Sequence, residues 1–120
     1  MPTATSERLD KVFAALADPT RRDLVARLSS ADATLTDLAE HYGMSMQAVA
    51  KHLKVLETAG LVSRGQEAQR RPVHLEAEVL DLMTGWIERY RRKAEERFRR
   101  LDDVLADLTG TGTTTKEIAS

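Results

Sequence analysis

Apolar residues along the chain fall into short stripes at helical spacing, separated by polar or glycine-bearing breaks. After Ser6, a candidate N-cap, Leu9, Val12, Phe13 and Leu16 recur at steps of three and four and predict an amphipathic helix that Pro19 must end or interrupt. Asp18-Pro19 then opens a second helix, with Leu24, Val25 and Leu28 as its stripe and Ser29-Ser30 at its close. Thr34 followed by Asp37 resembles a capping box for a short third helix, whose Leu35, Leu38, Ala39 and Tyr42 should face inward and whose end falls at Gly43. Met44 and Ser45 make a turn. Ser45 is a suitable N-cap for a fourth helix, Met46 to Thr58, closed by Ala59-Gly60. At about 100° per residue, Val49, Leu53 and Leu56 share one face, and Gln47, Lys51, Lys54 and Thr58 point the opposite way with Ala50 beside them.

Two strand-like runs follow, Leu61 to Arg64 and Pro72 to Leu75, joined by the polar stretch 65–71, and together they predict a small hairpin. From Glu78 a long helix carries Val79, Met83, Trp86, Ile87, Tyr90, Ala94, Phe98, Leu101, Leu105 and Leu108, mostly three or four residues apart. Thirty such residues would span about 45 Å, more than so small a domain can cover by itself. Part of the stripe is therefore expected to meet a second copy of the chain, with Leu9, Val12, Phe13 and Leu16 of the first helix and Trp86, Ile87, Tyr90, Phe98, Leu101 and Leu105 of the last as the interface. The polar, β-branched segment 109–120 reads as a disordered tail, which leaves 1–108 as one folded domain that also carries the dimer interface. The fold expected is mainly α with one small β-hairpin, a winged helix-turn-helix with a long C-terminal dimerisation helix.

Composition narrows the chemistry. A chain of 120 residues with 42% hydrophobic and 31% charged positions can build one core, and aromatics at 4% favour helical packing over a sheet sandwich. The absence of cysteine excludes disulfides, thiolate metal sites and cysteine nucleophiles. No export signal or membrane span is evident, and a cytoplasmic location without membrane association is expected. The formal net charge of −1 conceals an uneven distribution. Residues 45–74 hold Lys51, Lys54, Arg64, Arg70 and Arg71 against only Glu57 and Glu67. A local basic face is enough for phosphate binding, because charges beyond a Debye length of roughly 8 Å are largely screened.

Two helices joined by a tight turn, the second with a basic polar face and a hairpin after it, suit duplex DNA. A helix fits the major groove, where glutamine can pair with adenine and lysine can donate to guanine or phosphate, while a basic hairpin reaches the backbone. Ser45, Met46, Gln47, Ala48, Ala50, Lys51 and Lys54 are the candidates on the helix, and Arg64, Gln69, Arg70 and Arg71 those on the hairpin. The runs Leu38-Ala39-Glu40, Gly43-Met44-Ser45, Ala48-Val49, Lys51 to Glu57 and Ala59 to Val62 resemble the ArsR-type winged-helix regulators. The likeness extends upstream through Leu16 to Arg22 and downstream through Trp86 to Arg91, where it is similar to a metal-independent branch. It implies a homodimeric transcriptional regulator that binds an inverted-repeat operator, most simply as a repressor.

Family members commonly begin the recognition helix with Ser, then Gln or Arg, then Pro. Here Ser45, Met46 and Gln47 stand there, and Ala50 replaces a frequent Ser, so base preference does not transfer. Metal-sensing relatives use a cysteine motif before the turn or His and carboxylate pairs on the last helix, and this chain has neither. His41, His52 and His74 lie too far apart in sequence to form a ligand pair at helical spacing, so no metal or other cofactor is expected. Arg91, Arg92, Lys93, Arg97, Arg99 and Arg100 interleave with Glu88, Glu95, Glu96, Asp102 and Asp103 as a solvated helix face rather than a second DNA contact. No catalytic constellation or phosphate-cradling loop appears, so an enzyme is not expected. The rival function is a winged-helix adaptor that binds a protein partner through its long helix. A small-molecule effector, for instance near Trp86 and Tyr90, is left open.

Overall fold

The computed structural model of the chain describes residues 4–65 and 71–110. In chain order the elements are α1 (Ala4–Ala15), α2 (Pro19–Leu28), α3 (Leu35–Tyr42), α4 (Met46–Thr58), β1 (Val62–Arg64), β2 (Val73–Leu75) and α5 (Ala77–Thr109). They divide into two compact units, residues 1–83 and 84–120, so that α5 begins in the first and supplies the described part of the second.

In the first unit each helix boundary has a local cause. Asp18 N-caps α2 by accepting the Arg21 N–H at 3.0 Å, and Pro19 sits at the first helical position, where its missing donor is not needed. The capping box at α3 is reciprocal: Thr34 Oγ1 accepts from the Asp37 N–H at 3.2 Å, and Asp37 Oδ2 accepts from the Thr34 N–H at 3.3 Å. Gly43 closes α3 in the left-handed region at φ 62°, a conformation in which a β-carbon costs energy. Ser45 caps α4, its hydroxyl accepting from the Ala48 N–H at 3.1 Å.

The inner faces converge on one apolar core. Leu24, Leu38, Leu53, Leu56, Leu61, Val12, Val49 and Val73 are fully buried, with Ala15, Leu28, Ala39, Ala59, Val62 and Val79 completing the cluster. Val79, from the first turn of α5, also packs beneath Gly60. Truncation of a residue such as Leu53 to alanine would cost about 2–5 kcal/mol, because the cavity left behind collapses only in part.

Strands β1 and β2 pair antiparallel with Val62 opposite Leu75, Ser63 opposite His74 and Arg64 opposite Val73. A two-stranded hairpin is marginal alone. Here Val73 N–H also donates to Ala33 O at 2.7 Å, which ties the start of β2 to the segment before α3.

Three expectations need correction. Helix α1 is already formed at Ala4, so Ser6 lies inside its first turn rather than capping it. Leu9 and Val12 are buried within the chain itself, Val12 as a core member, so neither has free surface to lend to a second copy. Thr109 belongs to α5, not to a tail, and Gly110 closes that helix, its N–H donating to Ala106 O at 2.8 Å; the remaining residues of the expected tail, 111–120, lie outside the described residues.

Candidate nucleic-acid interface

Helix α4 presents two unlike sides. Val49, Leu53 and Leu56 anchor it in the core. On the other side Ser45, Met46, Gln47, Lys51 and Lys54 are exposed, with Ala48 and Ala50 half-buried between them. Within the described residues the side chains of Gln47, Lys51 and Lys54 make no hydrogen bond or ion pair, so their polar groups stay available to an outside partner.

A polar cluster holds the helix from behind. Arg21 donates from Nε to Ala15 O and from Nη2 to Ala14 O, the end of α1, while its Nη1 lies 3.5 Å from Nδ1 of His52 on α4. Asp18 Oδ2 sits 3.8 Å from the same His52 nitrogen. The Arg21 N–H holds the Asp18 carboxyl below the usual carboxylate range, helped by the Arg21 guanidinium and by His52, while partial desolvation opposes them. One arginine thus joins the α1–α2 corner to the middle of α4. Periodicity does not reveal this cluster, because Arg21 and His52 are 31 residues apart.

The turn before α4 is braced from α2. His41 bonds to Arg27, and the Tyr42 hydroxyl donates to Asp23 Oδ2. Burial first, and the Asp23 carboxylate second, push the Tyr42 phenol up to about 12.

Beside α4 stands the hairpin. Arg64 Nε lies 3.8 Å from Glu57 Oε2, so this arginine is partly engaged within the fold. Arg71 is exposed and reaches back to Gly65 O at 3.4 Å. Gln69 and Arg70, also expected at the hairpin, lie outside the described residues. The third histidine, His74, pairs with Asp32. Among the described residues no three His, Asp or Glu side chains are grouped to hold a metal ion, and no helix is long and apolar enough to cross a membrane.

In the second unit Trp86, Ile87, Tyr90, Phe98, Leu101 and Leu105 are all exposed, as are Val104 and Leu108 on the same stripe. Phe98 is 62% and Leu108 78% exposed, values that apolar side chains rarely keep without a partner. Arg91 bridges Glu88 and Glu95 along the same helix, and its hydrogen bond first, then its charge, hold the Glu88 carboxyl below its ordinary range. In the first unit Phe13 is 38% exposed, and Leu16 packs partly against the core.

Known proteins with this arrangement regulate transcription. Residues 16–64 match the model of a helix-turn-helix domain family. The transcriptional repressor SdpR of Bacillus subtilis is 31% identical over 87 residues, which cover 72% of this chain and 97% of the repressor. The HTH-type transcriptional regulator Rv2034 of Mycobacterium tuberculosis is 35% identical over 100 residues, 83% of this chain and 94% of the regulator. The crystal structure of an ArsR family transcriptional regulator superposes with a TM-score of 0.70 at 32% identity, covering 79% of this chain and 97% of that one. On the shared sequence, the capped α3–turn–α4 unit and the hairpin beside it, the chain belongs to the ArsR family of winged helix-turn-helix transcriptional regulators.

Proposed function

We propose that the chain is a homodimeric repressor that sets two copies of α4 in successive major grooves of an imperfect inverted repeat and silences a promoter by covering it. The observation that carries this reading is the unengaged polar face of α4 on a helix whose other face is locked into the core. Gln47 and Lys51 approach base edges; Lys54, Arg64, Gln69, Arg70 and Arg71 serve the phosphates; Ser45, Ala48 and Ala50 allow close approach. The likeness to the repressor SdpR supports the negative sign of regulation.

Self-association rests on the exposed stripe of α5, Trp86, Ile87, Tyr90, Phe98, Leu101 and Leu105, with Phe13 and the free edge of Leu16 as the contribution of α1. A two-fold dimer places the recognition helices about 34 Å apart, one turn of duplex. The protein acts in the cytoplasm, catalyses no reaction and needs no cofactor. Transition metals do not govern its affinity, since it has no thiolate and α5 carries carboxylates without imidazole.

The test is a polarisation titration of the purified protein against the DNA upstream of its own gene, with light scattering on the same sample. The expected result is a dimer that prefers this duplex to random DNA and is indifferent to zinc, cadmium or arsenite. A folded dimer with only weak, sequence-independent binding would point to a protein-interaction adaptor instead, and a stable monomer at micromolar concentration would overturn the architecture.

A further inference from the structure

Among the residues on the outer side of α4, Met46 stands apart. It is the first residue of the helix and is 48% exposed, whereas the core-facing Val49, Leu53 and Leu56 are at 1% or below. Its neighbour Met44 packs against the core, and Met46 does not. Packing within the unit therefore gives no reason for a large apolar side chain at this point. Ala50 lies one turn further along the same strip, half-buried, so Met46 and Ala50 form a small apolar track flanked by the polar pair Gln47 and Lys51, also one turn apart.

The major groove has one apolar feature for such a track to meet, the C5 methyl group of thymine. The thioether chain is unbranched and has three rotatable bonds, so it can lie along that methyl without a fixed rotamer. It has no hydrogen to donate to a phosphate, which separates its role from that of Lys51 and Lys54.

We infer that Met46, with the Ala50 methyl beside it, reads the 5-methyl group of one thymine in each operator half-site, next to the base pair taken by Gln47. This rests on the assignment of α4 as the DNA-reading helix.

The experiment uses the full chain and a duplex selected by it from a randomised library. Each thymine of the selected sequence is replaced in turn by deoxyuridine, which lacks only the methyl group. At one thymine in each half-site this replacement should weaken binding by about fourfold, the effect of returning one buried methyl group to water. Met46→Ala should bind the thymine and deoxyuridine duplexes equally well while keeping its preference for the selected sequence over random DNA, and Met46→Leu should restore most of the discrimination. The proposal is overturned if no thymine is required in the half-site, if the native protein is indifferent to every replacement, or if Met46→Ala discriminates as well as the native protein. If the selection enriches no sequence at all, the DNA-reading assignment falls and this proposal falls with it. If Lys51-dependent sequence preference persists without any methyl effect, only the role of Met46 is lost.

Discussion

At the scale of single residues the proposed interface divides into groups that choose a sequence and groups that hold the backbone. Replacing Gln47 or Lys51 by alanine should cost about 1–3 kcal/mol on the best operator and much less on random DNA, as competition titrations would show. Arg71→Ala should instead weaken both duplexes nearly equally and lower the salt slope by about one unit for each phosphate that is no longer neutralised, twice that per dimer. Equal salt slopes in the native protein and Arg71→Ala would remove Arg71 from the set of phosphate-binding residues. Tyr42 supplies a second residue-scale check. Its phenol is raised in the folded chain to about 12, so its contribution to stability is complete below the ordinary phenol range, near 10, and is lost as pH rises through about 12. Part of the tyrosinate absorbance should appear only at that upper limit, vanish in Tyr42→Phe and move to lower pH in Asp23→Asn; a single transition near 10 in the folded protein would contradict the bond to Asp23.

At the scale of elements the two left-handed glycines of the first unit make unequal demands. At Gly43, φ 62°, nothing lies near an added β-carbon, so Gly43→Ala should cost about 1 kcal/mol from backbone strain alone and Gly43→Asn less. At Gly60, φ 81°, an added β-carbon would come within 3.3 Å of Val79 Cγ2, so Gly60→Ala should destabilise by more than Gly43→Ala in urea unfolding. The reverse order would mean that the packing of Val79 is looser than described. The elements themselves were legible because their signals are local: the capping box at Thr34, the hydroxyl of Ser45 before Met46 and the turn glycine each act within four residues. What was not legible acts over distance or through a choice of partner. Nothing near His52 announces Arg21, and nothing near His41 announces Arg27, since those pairs exist only after the helices have packed. The stripe of α1 shows which face is apolar without showing what covers it, so Leu9 and Val12 looked like interface and are interior.

At the scale of the whole molecule, the exposed stripe on residues 84–109 is the proposed seam between two copies. Leu101→Lys or Phe98→Lys should turn the dimer into a monomer in sedimentation and reduce operator affinity about a hundredfold or more, because two half-sites would no longer be held by tethered readers. Unchanged sedimentation of both variants would place self-association elsewhere. The split personality of α4 has another outcome. Its inner residues are committed to the fold, and the side chains of its outer residues Gln47, Lys51 and Lys54 are exposed and make no hydrogen bond or ion pair within the described residues. Mutations can therefore accumulate on the outer face with little effect on folding, so duplicated genes could drift to new promoters while keeping one scaffold, and an engineer could re-address this regulator by rewriting a single helical surface.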